Sequence, residues 1–211
     1  HRSPAAGRYG QAEPERIDMT RLSRLLLIAP VLALGSCGTM KPEDFADRGP
    51  ALVLEDYFSG RTKAWGIFED RFGDLRREFV VDIDGSWDGR ELVLDEQFVY
   101  ADGETDRRVW RIVRTGEHSY RGEAADVVGP AEGTVYGNAL NWRYDFDLDI
   151  GERTIRVSFD DWMFLQPDGI LINRAKVRKW GFELGSVTLF FRRTDGIDNG
   201  GIDHGAKAVA Q

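Results

Sequence analysis

The side chains in this chain that could do chemistry are few, and their spacing limits what they could do. Glu96 falls between Leu94 and Phe98, Asp161 continues the series Ile155, Val157 and Phe159, and Asn173 interrupts Leu171 and Ala175. In an extended chain, residues two apart share a face, so these polar groups sit on faces that are otherwise apolar. An ionised carboxylate in such a place is costly unless it is paired or hydrogen-bonded. Three arrangements relieve that cost. An arginine matches the acid internally, with Arg111 and Arg174 as the candidates. A β-bulge turns it outward. Or it faces a cavity and orients the polar head of a ligand whose body is apolar. Two carboxylates also make a potential acid and base, although the sequence supplies no distance between them.

Other reactive groups lead nowhere obvious. The three histidines are His1, His118 and His204. His118 follows Gly116-Glu117 at a turn and has no second His or Cys with which to build a transition-metal site. No Gly-x-Ser-x-Gly elbow, phosphate-cradling loop or dinucleotide fingerprint is present. Asp145, Asp147 and Asp149 imitate the start of a calcium loop. That pattern needs Gly at its sixth position and Glu at its twelfth, where this chain has Ile150 and Arg156. They read instead as the polar face of a strand. No catalytic residue, metal site or cofactor is therefore assigned, and binding is expected ahead of catalysis. The formal net charge of −8 also disfavours nucleic acid, which is held by clustered Lys and Arg.

The single cysteine, Cys37, has a context of its own. Met19 to Cys37 reads MTRLSRLLLIAPVLALGSC: basic Arg21 and Arg24, an apolar run from Leu25 to Leu34, then Gly35 and Ser36. The run is too short to span a bilayer as a helix, which needs about 20 residues. It has the length of a signal-peptide core. The ending Leu34-Gly35-Ser36-Cys37 resembles a lipobox, which implies diacylation of Cys37 and cleavage before it. Two or three acyl chains anchor firmly where one does not. Gly38, in place of an Asp, favours the outer membrane and a periplasm-facing domain. Cleavage would remove five Arg and three acids, taking the net charge from −8 to −10.

The elements that must position these groups are strands. Leu140, Trp142, Tyr144, Phe146, Leu148 and Ile150 alternate strictly with Asn141, Arg143, Asp145, Asp147 and Asp149, a period of two. Similar alternation runs through Phe79–Ile83, Leu92–Tyr100, Ile155–Phe159, Leu171–Val177 and Val187–Phe191. Turn signals at Asp88-Gly89, Asp102-Gly103, Thr115-Gly116, Gly137-Asn138, Gly151-Glu152 and Pro167-Asp168-Gly169 separate them. About nine or ten strands with short connections must be antiparallel. Closing the sheet into an all-β up-and-down barrel, lipocalin-like, removes its edges; a two-sheet sandwich is the alternative. Leu52–Phe58 reads as a short helix or a first strand, and Val128–Gly133 as a longer loop at one barrel mouth. The organisation expected is a non-native or mis-set leader over 1–18, a signal peptide over 19–36, a lipidated linker over 37–50, the barrel over 51–193, and a flexible tail over 194–211.

Several stretches resemble a known family. They are Ala64-Trp65-Gly66-Ile67-Phe68-Glu69-Asp70-Arg71-Phe72-Gly73, Gly85-Ser86-Trp87-Asp88-Gly89, Leu94-Asp95-Glu96-Gln97-Phe98-Val99-Tyr100, and Gly137-Asn138-Ala139-Leu140-Asn141-Trp142. The chain is similar, from the lipobox to about Arg193, to the DUF3833 family of proteobacterial lipoproteins. The resemblance implies an envelope location and no particular reaction.

Three roles are consistent with these residues. The first is a lipid-anchored binding module whose barrel holds a fatty acid or other amphiphile. Glu96 and Asp161 would meet its polar head, and Phe98, Trp142, Tyr144, Phe146, Leu92 and Leu94 would line the wall. The second is a structural or assembly lipoprotein with a filled barrel that docks on an envelope protein partner. The third is an enzyme acting on a lipid in the same cavity.

Overall fold

The computed structural model describes residues 40–150 and 153–195. Cys37, the leader, the signal peptide, the Gly151-Glu152 turn and the tail beyond residue 195 lie outside the described residues.

Alternation of apolar and polar residues produces ten antiparallel strands: β1 (Gly60–Asp70), β2 (Leu75–Trp87), β3 (Glu91–Tyr100), β4 (Thr105–Gly116), β5 (Ser119–Glu123), β6 (Val127–Tyr136), β7 (Ala139–Ile150), β8 (Arg153–Leu165), β9 (Leu171–Lys179) and β10 (Phe182–Arg193). Each pairs with its sequence neighbours, and β1 pairs with β10, so the sheet closes as an up-and-down barrel. Closure satisfies every strand edge and excludes the two-sheet sandwich. The strand signal of Leu140–Ile150 becomes β7, whose register with β8 runs unbroken from Ala139↔Phe164 to Ile150↔Arg153.

The outer wall mixes charged residues with exposed apolar ones, among them Trp65, Val99 and Phe190. It carries cross-strand ion pairs such as Lys63–Asp82, Arg107–Asp95, Arg111–Glu91 and Arg156–Asp147. Asp147 thus pairs with an arginine on the next strand, and Asp145 accepts from Ser158 Oγ. Both stand on the wall of β7, as the polar-face reading requires. Among the described residues, no helix is long and apolar enough to cross a membrane.

Leu52–Phe58 resolves as helix α1 (Leu54–Phe58), one and a half turns long. It plugs the barrel at the end where β2 meets β3 and β4 meets β5. Leu54, Tyr57 and Phe58 are buried there among Ile83, Ile112, Leu140, Leu171 and Phe191. Tyr57 Oη donates to the carbonyls of Gly169 and Phe191, each at 3.1 Å. Tyr120 Oη donates to Glu55 at 2.8 Å. The plug fits because position 85 is glycine: a Cβ there would strike the carbonyl oxygen of Phe58.

The segment read as a spacer before the domain packs against the barrel. Pro42–Phe45 forms a 3₁₀ turn. Phe45 is buried against Trp162 and Phe164, with ring centroids 5.9 and 5.4 Å away. Trp162 and Phe164 point outward from β8, and Phe45 covers them. The stretch Asp161-Trp162-Met163-Phe164-Leu165 accordingly carries apolar residues on both faces of the strand.

Two loop expectations are corrected. Val128–Gly133 is not a mouth loop but part of β6. The chain bulges there: Val128 faces Asp145 while Glu132 already faces Arg143. Pro130 has no N–H to give a ladder, and a bulge is where a strand tolerates that. Thr115-Gly116 ends β4, so the turn itself is Glu117-His118.

Candidate functional site

The strands enclose a cavity of about 650 Å³ that runs from α1 to the opposite rim. Its floor is Leu54, Phe58, Ile112 and Leu140, and at the rim it is lined by Asp70, Arg76, Arg77 and Tyr100. The wall is mostly apolar and aromatic. Trp142 owes its place to two glycines: a Cβ on Gly122 or Gly133 would run into its indole. The ring therefore lies over β5 and β6 and meets Trp110 edge-on, with centroids 5.8 Å apart. Trp110 in turn meets Tyr144 at 5.4 Å, and Tyr144 stacks on Phe159 at 4.9 Å.

Midway along this apolar wall runs a polar girdle. Toward α1 from it stand Leu94 on β3, Trp110 on β4, Trp142 on β7, Met163 on β8 and Leu171 on β9. Toward the rim stand Phe98, Phe146, Phe159 and Ala175. The girdle itself is Glu96, Arg108, Tyr144, Asp161 and Asn173, all lining the cavity. Strand register brings them together. Glu96 is the direct partner of Arg108, and Asp161 sits between Trp142 and Ala175.

Within the girdle the hydrogen bonds are unevenly shared. Asn173 Nδ2 donates to Asp161 Oδ1 at 2.8 Å, and Tyr144 Oη reaches Asp161 Oδ2 at 3.4 Å. Arg108 gives its Nε to Asp126, 2.9 Å from Oδ2, and its Nη2 lies 2.8 Å from the same oxygen. The guanidinium also lies over the Phe146 and Phe98 rings, at 4.8 and 5.7 Å. Glu96, half-buried, takes no hydrogen bond on its carboxyl from the described residues.

Titration follows this geometry. Burial pushes the Glu96 carboxyl up to about 7, against the opposing pull of Arg108 and with help from Asp126 and Asp161. Burial also raises Asp161, to about 6, while Asn173, Tyr144 and Arg108 hold it lower than burial alone would. Arg108 is itself penalised by burial, but Tyr144, Glu96 and Asp126 more than reverse that and keep it charged. Tyr144 is driven well above the ordinary phenol range, first by burial and then by Asp161.

Six residues expected at a ligand site, Glu96, Phe98, Trp142, Tyr144, Phe146 and Asp161, all line this one cavity. Asn173 joins them, while Leu92 is buried in the apolar packing at the plugged end and does not reach the cavity. The expected arginine partners are corrected. Arg111 points outward and pairs with Glu91 at 2.7 Å, and Arg174 is exposed on the wall. Parity is the reason: Trp110 and Ile112 face inward, so Arg108 shares their face and Arg111 does not. The same two-residue spacing, applied to β4, would have found Arg108 in the sequence. Asp126 carries no such signal, because it lies in the connection between β5 and β6. His118 stands outside the cavity at the plugged end, stacked 3.9 Å from Tyr136 and with Nδ1 3.0 Å from the Val135 carbonyl. Among the described residues, no cluster of His, Cys, Asp and Glu is arranged to hold a metal ion.

A family model described as "Protein of unknown function (DUF3833)" matches residues 31–193. No curated protein matches the chain. Among solved structures, an S-type phycobiliprotein lyase from Guillardia theta is similar. The alignment has a TM-score of 0.48 and 8% identity, and covers 65% of this chain and 88% of that one.

Proposed function

The chain belongs to the DUF3833 family, and from that premise we propose that it is a membrane-anchored envelope lipoprotein whose barrel binds a lipid or other apolar small molecule. The observation that carries the reading is the cavity: about 650 Å³, floored by α1, reaching the rim, and lined by aromatic and aliphatic side chains around a few polar groups. Small-molecule sites have this size, roughly 300–1,000 Å³, and this composition. A barrel built only for structure would fill its interior at crystal-like density, so the open interior speaks against a filled assembly module.

Attachment rests on Cys37 and the apolar run before it. In this reading, acyl chains on that cysteine supply the hold on the membrane. Phe45, eight residues after Cys37 in sequence, sits at the plugged end of the barrel. The expected setting is the outer membrane, facing the periplasm.

A catalytic reading keeps one observation in its favour. Glu96 and Asp161 face the same cavity, with carboxyls raised to about 7 and about 6, values suited to proton transfer near neutrality.

Native mass spectrometry of the full protein after mild extraction tests the reading. The expected result is a chain beginning at Cys37, carrying acyl chains, with a small molecule retained until activation. A free thiol, or an empty barrel that takes up no aliphatic probe, contradicts it.

A further inference from the structure

The girdle also bears on what kind of polar head the cavity accepts. Three carboxyls, Glu96, Asp126 and Asp161, surround one guanidinium, Arg108. That guanidinium already has its charge paired with Asp126, which bonds both its Nε and its Nη2. Asp161 has its own donors in Asn173 and Tyr144. What remains facing the cavity without a donor is the Glu96 carboxyl. The rim repeats the imbalance. Arg76 bonds Asp70 and Asp74, and Arg77 bonds Asp102 and Glu104, so two guanidiniums meet four carboxylates. An anionic head would meet excess negative charge at both levels, where each arginine is already charge-paired with a carboxylate. Like charges held close at a site are a strong discriminator, and unmatched buried polar groups are another.

We propose that the ligand is an aliphatic amphiphile whose polar group donates hydrogen bonds to Glu96 and carries no negative charge, an amine or a hydroxyl, and that carboxylate-headed lipids are refused. This rests on the reading of the barrel as a binding cavity and adds the chemical class to it. Glu96 is then the specificity residue. The apolar body of the ligand lies toward the α1 floor, along Leu94, Trp110, Trp142 and Leu140.

The test compares dodecylamine, dodecanol and dodecanoate, each below its micellar concentration, on the full-length protein by quenching of tryptophan fluorescence. The amine and the alcohol are expected to bind at least about tenfold more tightly than the acid. In Glu96→Gln and Glu96→Met the amine should weaken and the acid strengthen, bringing the probes within about threefold of one another. Equal binding of all three by the wild type, or a preference for dodecanoate, overturns the inference and leaves the binding reading standing. So does a wild-type preference that survives unchanged in both variants. Failure of every probe to bind removes the binding reading itself. The wild-type ranking decides the head-group question even if neither variant folds.

Discussion

Glu96 and Arg108 are direct cross-strand partners inside the barrel, yet the arginine gives its hydrogen bonds to Asp126 and not to Glu96. The pair is close enough to interact through charge while the carboxyl is left free toward the cavity. That relationship makes the polar girdle a structural liability and, on the binding proposal, the place where a ligand head is recognised.

Stability should therefore depend on pH with a definite sign. Glu96 rises from an ordinary value near 4.5 to about 7 on folding, so between those values the folded state holds a proton that the unfolded state has lost. Stability is full below about pH 4.5, falls as pH climbs toward 7, and then levels. Asp161, raised to about 6, adds a fall over a lower window. The groups facing Glu96 are Arg108, Asp126, Asp161 and its neighbour Asp95. Urea melts of the empty protein should show a loss on the order of 3 kcal/mol across the Glu96 window, and Glu96→Gln should remove most of it. A stability that rises over that window contradicts the assignment.

Arg108→Met should be severely destabilising. It strands Asp126, Glu96 and Asp161 in the wall without their shared cation, and breaking a buried pair on one side costs about 3–5 kcal/mol. The penalty should shrink on acidification, when Glu96 and Asp161 become neutral. Thermal melts at pH 5 and at pH 8 check this, and a penalty independent of pH counts against it.

The plug and the wall give two packing predictions. Phe58→Ala opens the cavity floor and should cost about 3–5 kcal/mol in urea melts. Gly133→Ala drives a methyl against the Trp142 indole and should cost about 1–3 kcal/mol as the ring shifts. A loss of near-ultraviolet circular dichroism should accompany the glycine change. If neither substitution alters stability, the described packing of α1 and Trp142 is wrong.

Much of the fold was readable because β-strands write their faces directly into sequence. β7 announces itself through strict alternation of apolar and polar residues, and the turn glycines mark most hairpins. Where the pattern breaks, the causes are physical. Val128–Gly133 carries Gly and Pro, which ordinarily end a strand, but a bulge absorbs them inside β6. Asp161–Leu165 carries apolar residues on both faces, and Phe45, far away in the chain, covers the outer face of β8. For the site, single-face parity was enough to gather Glu96, Phe98, Trp142, Tyr144, Phe146 and Asp161. It could not reveal that Asp126, from a connection, would claim Arg108 and leave Glu96 alone. That depends on barrel closure and on how short β5 is, which no local pattern encodes.

On the binding proposal, the barrel interior is an accessible ligand cavity. Titration of the full-length protein with N-phenyl-1-naphthylamine, an uncharged aromatic amine, tests it most directly when set beside Leu189→Trp, which places an indole in the cavity space that Leu189 lines. Saturable one-to-one binding with enhanced probe fluorescence is expected in the wild type, and its loss in a folded Leu189→Trp protein. Absence of saturable binding, or equal binding by the blocked variant, contradicts it.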